Sequence, residues 1–164
     1  MKIILTCRAG PRSTSGSTPC ANRGRGLGDL NVAKYLLDTG LVLRQLRGHR
    51  RTVQFLRGLG GLGRLAIATV TRLEVHAGMR PTERYATQKL LSGMMTYDMD
   101  REVADRAGDL IAASRSAGTM LSVPDAIIAA TAIQHNLSLV TLNGAHFVHV
   151  SGLSLYPLEE EAYL

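Results

Sequence analysis

The sequence predicts a three-layer α/β/α sandwich around a central, mostly parallel sheet. Short apolar segments alternate along the chain with longer segments of helical spacing, and parallel strands need such helical crossovers. Residues 126–132 are small or apolar on nearly every face, which is typical of a helix buried against a sheet. A chain of 164 residues with 45% hydrophobic residues is long enough for one such domain with a substantial core.

The first predicted strand is followed by two helices. The apolar run at residues 35–37 indicates a buried strand that ends in Asp38. Helical spacing resumes over residues 41–46, and a second helix is predicted over residues 49–59. The glycine-rich run at residues 58–63 is expected to end that helix and form a flexible link. It lacks the spacing and the lysine of a phosphate-binding loop, which argues against nucleotide binding.

The rest of the chain repeats the alternation of strand and helix. The further predicted strands are residues 65–68, 94–97, 137–142 and a last one within 148–156. The further predicted helices are residues 69–77, 82–92, 101–116 and 124 to about 136. Asn136 is expected to end the last helix in a left-handed conformation, and residues 143–147 to form a turn. Asp98 and Asp100 precede a helix and are expected to cap it.

The two ends of the chain differ in composition from the predicted domain, residues 34–157. Residues 1–33 are rich in Gly, Ser, Thr and Pro and carry five basic residues against one acidic residue. We expect this extension to be disordered. It is either a basic arm that adds nonspecific affinity for nucleic acid or an upstream extension without function. Residues 158–164 form an acidic tail.

Composition also indicates the cellular location and argues against membrane spans, disulfide bonds and zinc sites. No apolar run approaches the ~18 residues of a membrane span, and the opening apolar run is too short for a secretory signal. We therefore expect a cytoplasmic protein that does not bind a membrane. The only two cysteines, Cys7 and Cys20, lie in the first fifth of the chain and are expected to be reduced thiols. The five histidines show no zinc-ligand spacing.

Four polar residues follow predicted strands or lie near the start of the next helix. They are Asp38, Glu74, Asp125 and Asn143. Because ligands collect at the carboxyl ends of parallel strands, we expect these residues to converge on one edge of the sheet. Asp125 follows Pro124, which is predicted at the first helical position, where free N–H groups favour a carboxylate. A buried ionised carboxylate must be paired, capped or bound to metal.

Each of these residues also has a purely structural interpretation. Glu74 lies three residues after Thr71, which is the spacing of a helix capping box. Asp125 can stabilise the start of its own helix, and Asn143 is a common turn residue. His146 is expected to pack or to order the turn near the same edge. An acid that ends a buried strand, as Asp38 does, is harder to explain by packing alone.

The chain resembles a PIN domain, and more closely the VapC toxins of bacterial toxin–antitoxin pairs. The resemblance covers residues 34–157 and rests on four segments in the family's order and spacing. These segments are LLDT at residues 36–39, TRLE at 71–74, PDAIIAATA at 124–132 and VTLNGAHF at 140–147. Together they are specific, although each one alone is a weak signal.

The resemblance implies a Mg²⁺- or Mn²⁺-dependent endoribonuclease with a small antitoxin encoded beside it, and it implies a homodimer. Carried over to this sequence, it makes Asp38, Glu74 and Asp125 the catalytic acids, with Asp38 and Asp125 as direct metal ligands. Glu74 then acts through a metal-bound water or as its base. The fourth position, often an aspartate, falls on Asn143, which brings no charge. Thr39 and Thr141 match hydroxyl positions near the site.

Hard divalent cations prefer oxygen ligands, and one would relieve the repulsion between clustered acids. Two other interpretations compete with the nuclease. A PIN scaffold without catalytic activity, binding RNA or a protein partner, is favoured by Asn143. A receiver domain phosphorylated on Asp38 needs an acidic pair at the first strand and a late lysine, but no lysine follows Lys89.

The densest basic run of the predicted domain lies on its first two helices. It could contact RNA phosphates, dock an acidic antitoxin or form a solvated helix face. Its members are Arg44, Arg47, Arg50, Arg51 and Arg57.

Overall fold

A five-stranded parallel sheet forms the centre of residues 33–158, which are the part of the chain that the computed structural model describes. The strands are β1 (Ala33–Leu37), β2 (Arg64–Ala68), β3 (Met95–Tyr97), β4 (Ser138–Val140) and β5 (Ser154–Leu155). Their order across the sheet is β3-β2-β1-β4-β5, and every neighbouring pair is parallel. The first strand in sequence is therefore the central one.

Helices cover both faces of this sheet. They are α1 (Thr39–Leu46), α2 (Arg50–Leu62), α3 (Thr69–Gly78), α4 (Arg84–Ser92), α5 (Arg101–Ser116), α6 (Val123–Gln134) and the single turn α7 (Gly144–Phe147), with a 3₁₀ turn at Pro81–Glu83. Side chains of β1 alternate between two cores: Leu36 packs with α5 and α6, whereas Tyr35 and Leu37 pack with α1 to α4. The predicted three-layer α/β/α sandwich is confirmed. Within the described residues, no helix is both long and apolar enough to cross a membrane.

The predicted terminal segments lie mostly outside the described residues. The expected disorder and the basic-arm alternative concern residues 1–33, of which only Ala33 is described, and most of the predicted acidic tail, residues 158–164, falls in residues 159–164. The boundary residues Ala33 and Leu158 both pack on the domain.

The buried helix α6 has the small-residue character that its sequence predicts. Four of its alanines are fully buried, namely Ala126, Ala129, Ala130 and Ala132. The helix begins one residue earlier than predicted, so Pro124 is its second residue. A proline is tolerated there because a backbone N–H at this position would have no intrahelical acceptor. Asn136 has a φ of 52° beyond the helix end, as predicted.

The glycine-rich link was predicted wrongly. Helix α2 continues through the glycines to Leu62, because Leu59 is only 2% exposed and its packing outweighs the low helix propensity of the glycines. Gly63 alone connects α2 to β2. A Cβ at Gly63 would lie 3.0 Å from Cβ of Lys34 and 3.2 Å from the ring of Tyr35, so β1 approaches here too closely for most side chains.

Four further predictions are corrected. Residues 82–92 divide into the 3₁₀ turn and α4, β4 is shorter than predicted, and residues 143–147 contain α7 rather than a simple turn. Asp100 caps α5, since its Oδ1 accepts a hydrogen bond from Val103 N at 2.8 Å. Asp98 caps no helix and instead accepts a hydrogen bond from the Thr69 hydroxyl at 3.2 Å.

The close contact of α6 with the sheet predicts a sensitive position. Ala129→Leu is expected to lower the free energy of unfolding by about 1–3 kcal/mol, because added methylene groups overpack a filled core. Ala145→Leu, at an exposed position of α7, is the control and should cost less than about 0.5 kcal/mol. Urea unfolding followed by circular dichroism measures both. Equal midpoints for the two variants would contradict the close packing of α6.

Candidate functional site

The candidate site lies where the carboxyl ends of the central strands meet. Asp38 follows β1 directly, and its backbone N–H donates to Val140 O of β4 at 3.0 Å. Because β1 has β2 on one side and β4 on the other, Asp38 lies in the middle of this edge. Thr69 begins α3 directly after β2, and Thr141 directly follows β4.

The carboxylate of Asp38 is oriented by a residue 103 positions later in the sequence. The hydroxyl of the buried Thr141 donates to Asp38 Oδ2 at 2.7 Å. That hydroxyl accepts a hydrogen bond from the backbone N–H of Asn143 at 2.9 Å. Asn143 therefore acts on Asp38 through its backbone, and this contact is available to any residue except proline.

Glu74 is held by the first residue of α1. The Thr39 hydroxyl donates to Glu74 Oε2 at 2.6 Å and lies 3.3 Å from the hydroxyl of the buried Thr71. The capping-box interpretation of Glu74 is wrong, because α3 already begins at Thr69 and Thr71 lies within the helix. Glu74 thus faces the start of α1, next to Asp38.

Asp125 combines a helix-capping contact with a place at this edge. Ser122 is the N-cap of α6; its hydroxyl accepts from Asp125 N at 3.2 Å and donates to Asp125 Oδ2 at 2.7 Å. The Asp125 side chain is still 25% exposed, and its Oδ2 lies 3.9 Å from Nδ1 of His146. Ser122 was not predicted from the sequence as part of this site, although the S-x-x-D spacing of residues 122–125 is a capping signal.

His146 links the fourth predicted residue to the acids. Its Nδ1 is 3.3 Å from the side-chain nitrogen of Asn143 and faces Asp125. The Asn143 side chain is exposed and forms no capping hydrogen bond on α7. Its amide thus contacts the ring of His146, while its backbone supports Thr141.

The three acids share one electrostatic environment. Burial raises the pKa of Asp38 above its ordinary value, the hydrogen bonds from Thr141 and the backbone of Thr39 lower it, and the charges of Asp125 and Glu74 raise it again. The net direction is upward. Asp38, Glu74 and Asp125 therefore lie close enough for each charge to be felt at Asp38, although they come from three separate segments.

The donor set of this edge fits a hydrated hard cation. Within residues 33–158, no group of three or more His, Cys, Asp or Glu side chains is arranged so that all of them could hold a metal ion directly. Mg²⁺ does not need one, because it takes one or two carboxylates and keeps several waters. The carboxylate oxygens of Asp38, Glu74 and Asp125, flanked by the hydroxyls of Thr39 and Thr141, offer the ligands and the negative charge that such an ion requires.

The basic run of the first two helices occupies a different element from the acids. Arg47 lies just beyond α1, and Arg50, Arg51 and Arg57 are exposed on α2. Arg44 lies within α1 and is partly buried. These side chains lie at the C-terminal end of α1 and along α2, whereas Thr39 is the first residue of α1.

Comparison with known proteins gives consistent matches. The family model for the PIN domain matches residues 35–153. Ribonuclease VapC10 of Mycobacterium tuberculosis (strain ATCC 25618 / H37Rv) is 34% identical over 112 residues, which is 68% of this chain and 84% of that protein. Ribonuclease VapC19 of the same strain is 31% identical over 113 residues, or 68% of this chain and 90% of that protein.

Solved structures share the fold. A toxin-antitoxin complex from Klebsiella pneumoniae contains a chain with a TM-score of 0.64 and 28% identity, covering 76% of this chain and 100% of that chain. VapBC2 from Rickettsia felis, bound to a DNA fragment from its promoter, gives a TM-score of 0.68 at 23% identity, covering 74% and 96%. The second likeness concerns the fold alone.

The raised pKa of Asp38 predicts a stability effect with a definite sign. A carboxyl that binds its proton more tightly in the folded state contributes stability at low pH, and this contribution is lost as pH rises through the folded pKa. Ionised Asp38 thus destabilises the metal-free fold at pH 7. Asp38→Asn, which keeps an acceptor for Thr141, is expected to raise Tm at pH 7 by a few degrees.

Calorimetry of the metal-free protein at several pH values measures this effect. The Tm difference between Asp38→Asn and the wild type should vanish below the ordinary aspartate pKa of 3.8, where Asp38 is protonated in both the folded and the unfolded wild type. Asp109→Asn, at an exposed position of α5, is the control and should leave Tm unchanged. A lower Tm for Asp38→Asn at pH 7 would contradict the electrostatic argument.

Proposed function

Because this chain belongs to the PIN-domain family, we propose that it is a Mg²⁺- or Mn²⁺-dependent endoribonuclease that acts in the cytoplasm as the toxin of a toxin–antitoxin pair. The observation that supports this most directly is the electrostatic coupling of Asp125 and Glu74 to Asp38 at one edge of the sheet. The relatives VapC10 and VapC19 from Mycobacterium tuberculosis are named ribonucleases, which supports RNA as the substrate.

The reaction is hydrolysis of an RNA phosphodiester bond. Asp38 and Asp125 would hold the metal ion, and Glu74 would accept the proton that the attacking water releases. When bound, the ion would lower the pKa of a water and offset the charge that develops on the phosphate oxygens. The water oxygen forms the new P–O bond while the bond to the leaving oxygen breaks. The leaving oxygen takes a proton from solvent, and Glu74 later releases the proton that it accepted to solvent.

The two threonines act as positioning residues in this proposal. Thr141 fixes the direction of the Asp38 carboxylate, and Thr39 holds Glu74 at 2.6 Å. Groups that orient a ligand in this way commonly contribute 10–100-fold to activity or metal affinity. Asn143 supplies no fourth negative charge; its backbone supports Thr141 and its amide contacts His146.

The proposed partner is a small VapB-like antitoxin. Structures with this fold include toxin–antitoxin complexes, among them the Klebsiella pneumoniae complex. The exposed arginines of α2 fit an acidic antitoxin segment or the phosphates of RNA. We also propose that the protein is a homodimer, as the family resemblance implies, and that residues 34–157 are the nuclease domain.

A second candidate function follows from Asn143. A PIN scaffold that binds RNA or a protein partner without cleaving it needs no fourth acid. Binding isotherms with labelled RNA, with and without Mg²⁺, distinguish the two when compared with cleavage assays. Metal-independent binding without cleavage would establish the scaffold, whereas metal-dependent cleavage establishes the nuclease.

The assigned acids predict complete loss of cleavage. Asp38→Asn or Asp125→Asn is expected to reduce RNA cleavage to background, because each removes a charged metal ligand but keeps the side-chain shape. Gel assays with Mg²⁺ or Mn²⁺ measure the rate, and circular dichroism checks the fold. Cleavage at the wild-type rate by both variants would count decisively against the proposal.

The positioning role of Thr141 has a matched control. Thr141→Val is expected to lower the cleavage rate by about 10–100-fold. Thr131→Val removes another buried hydroxyl, one that bonds only to Ile127 O within α6, and should leave the rate within about twofold. Equal rates for the two variants would show that the hydrogen bond to Asp38 does not matter for cleavage.

Residues 1–32 precede β1 and are proposed to be dispensable. A chain that begins at Ala33 should cleave RNA and bind its antitoxin as the full chain does. The RNA affinities of the shortened and the full chain are compared at two salt concentrations, because contacts with phosphates depend strongly on salt. A large loss of RNA affinity at moderate salt would instead establish the basic arm.

A further inference from the structure

A cavity of about 270 Å³ opens beside the acids, between the end of α5, the loop before α6 and the segment around α7. We propose that it binds one nucleobase of the RNA, next to the phosphate that is cut, and so determines base preference. This inference rests on the proposed function, because it places the phosphate at the acids. The residues of its wall that matter here are Leu110, Ala113, Met120, Leu121, His146 and His149.

The cavity is continuous with the acid edge at two points. His146 belongs to its wall, and the Nδ1 of this residue lies 3.9 Å from Asp125 Oδ2 and 3.3 Å from the Asn143 amide. Leu121 is also in the wall and directly precedes Ser122, whose hydroxyl contacts Asp125. A nucleotide whose phosphate lies at the acids therefore has its own base, or that of its neighbour, within reach of this cavity.

The wall is already in place without a ligand. Ser114 of α5 donates its hydroxyl to Thr119 O at 2.9 Å and accepts from Leu121 N at 3.0 Å, while the Thr119 hydroxyl donates to Ser114 O at 3.1 Å. Gly118 has a φ of 72°, which lets the loop turn back onto α5. A wall fixed in this way loses little conformational entropy when a ligand binds.

This braced loop presents an apolar side chain to solvent. Met120 is 96% exposed, although both of its neighbours are tied to Ser114. Core packing does not explain a methionine in this position. A flexible, polarisable thioether at the mouth of a cavity does suit contact with the face of an aromatic ring.

The size and chemistry of the cavity favour a nucleobase over other occupants. Its volume lies just below the ~300–1,000 Å³ of sites for drug-sized ligands, which suits one base with part of its ribose. The rings of His146 and His149 add planar, hydrogen-bonding groups to the apolar wall, and unstacked RNA bases are commonly read by such surfaces. No Lys or Arg is among the described residues of the wall, so it suits neither a phosphate nor an acidic peptide.

The inference is tested by a substitution that fills the cavity, followed by sequencing of the bases next to each cut. Ala113→Leu adds a larger side chain to the wall at an exposed helix position that tolerates leucine, and Ala112→Leu makes the same change one residue away, outside the wall. Each protein is given a randomised single-stranded RNA with Mg²⁺ or Mn²⁺, and the cut sites are sequenced. We expect the wild type and Ala112→Leu to prefer one base next to the cut by roughly tenfold in kcat/KM, and Ala113→Leu to lose that preference.

Met120→Ala provides a second variant whose folding is not at risk, because the side chain is almost fully exposed. It should weaken the same preference without changing Tm. If Ala113→Leu and Met120→Ala both cut RNA with the same base frequencies next to the cut as the wild type, the inference is overturned. The inference also fails if Ala113→Leu weakens antitoxin binding but keeps the base frequencies, since the cavity is then a protein interface.

A binding measurement keeps this inference separate from the proposed function. The four nucleosides, which carry no phosphate charge, are titrated into the metal-free protein while NMR follows the Met120 methyl group and the two histidine rings. We expect shifts in these signals with at least one nucleoside, and their loss in Ala113→Leu but not in Ala112→Leu. Shifts without any RNA cleavage by the wild type would retain the base site and overturn the nuclease; unmoved signals would overturn the base site whether or not RNA is cut.

Discussion

The hydrogen bond from Thr141 to Asp38 is the contact on which the candidate site depends. It joins the residues that follow β1 and β4, which are neighbours in the sheet but 103 positions apart in the chain. The parallel pairing of the two strands brings their carboxyl ends to one edge, and the hydrogen bond then sets the direction of the carboxylate. Loss of that pairing would separate Asp38 from its support, so fold and site are inseparable here.

Electrostatic repulsion at this edge destabilises the ionised form of Asp38, which is consistent with a proposed site for a cation. Burial and the charges of Asp125 and Glu74 all disfavour an ionised Asp38, while the hydrogen bonds from Thr141 and the backbone of Thr39 only partly offset them. A divalent cation would remove this conflict, which is why a site that destabilises the free protein can be retained. The neutral Asn143 keeps the remaining repulsion lower than a fourth acid would.

The proposed base cavity extends this arrangement in a direction that the acids alone do not explain. A metal ion held by the acids would contact the phosphodiester, which every RNA shares, and would therefore supply no sequence preference. Preference needs a surface that contacts a base. His146, which adjoins both Asp125 and the cavity, connects the two parts, and the loop braced by Ser114 holds the other wall in position.

The sequence alone determined the layer architecture and the bounds of α5. Both follow from local periodicity, because short apolar runs typical of strands alternate with segments of helical spacing. The acids at the strand ends were also evident, as was the likeness to a PIN domain. Only the tertiary structure decided that α2 runs through its glycines, that Glu74 bonds to Thr39 rather than capping α3, and that Ser122 and His146 adjoin Asp125. These features depend on contacts between remote segments, and their energies outweigh the local propensities that a sequence displays.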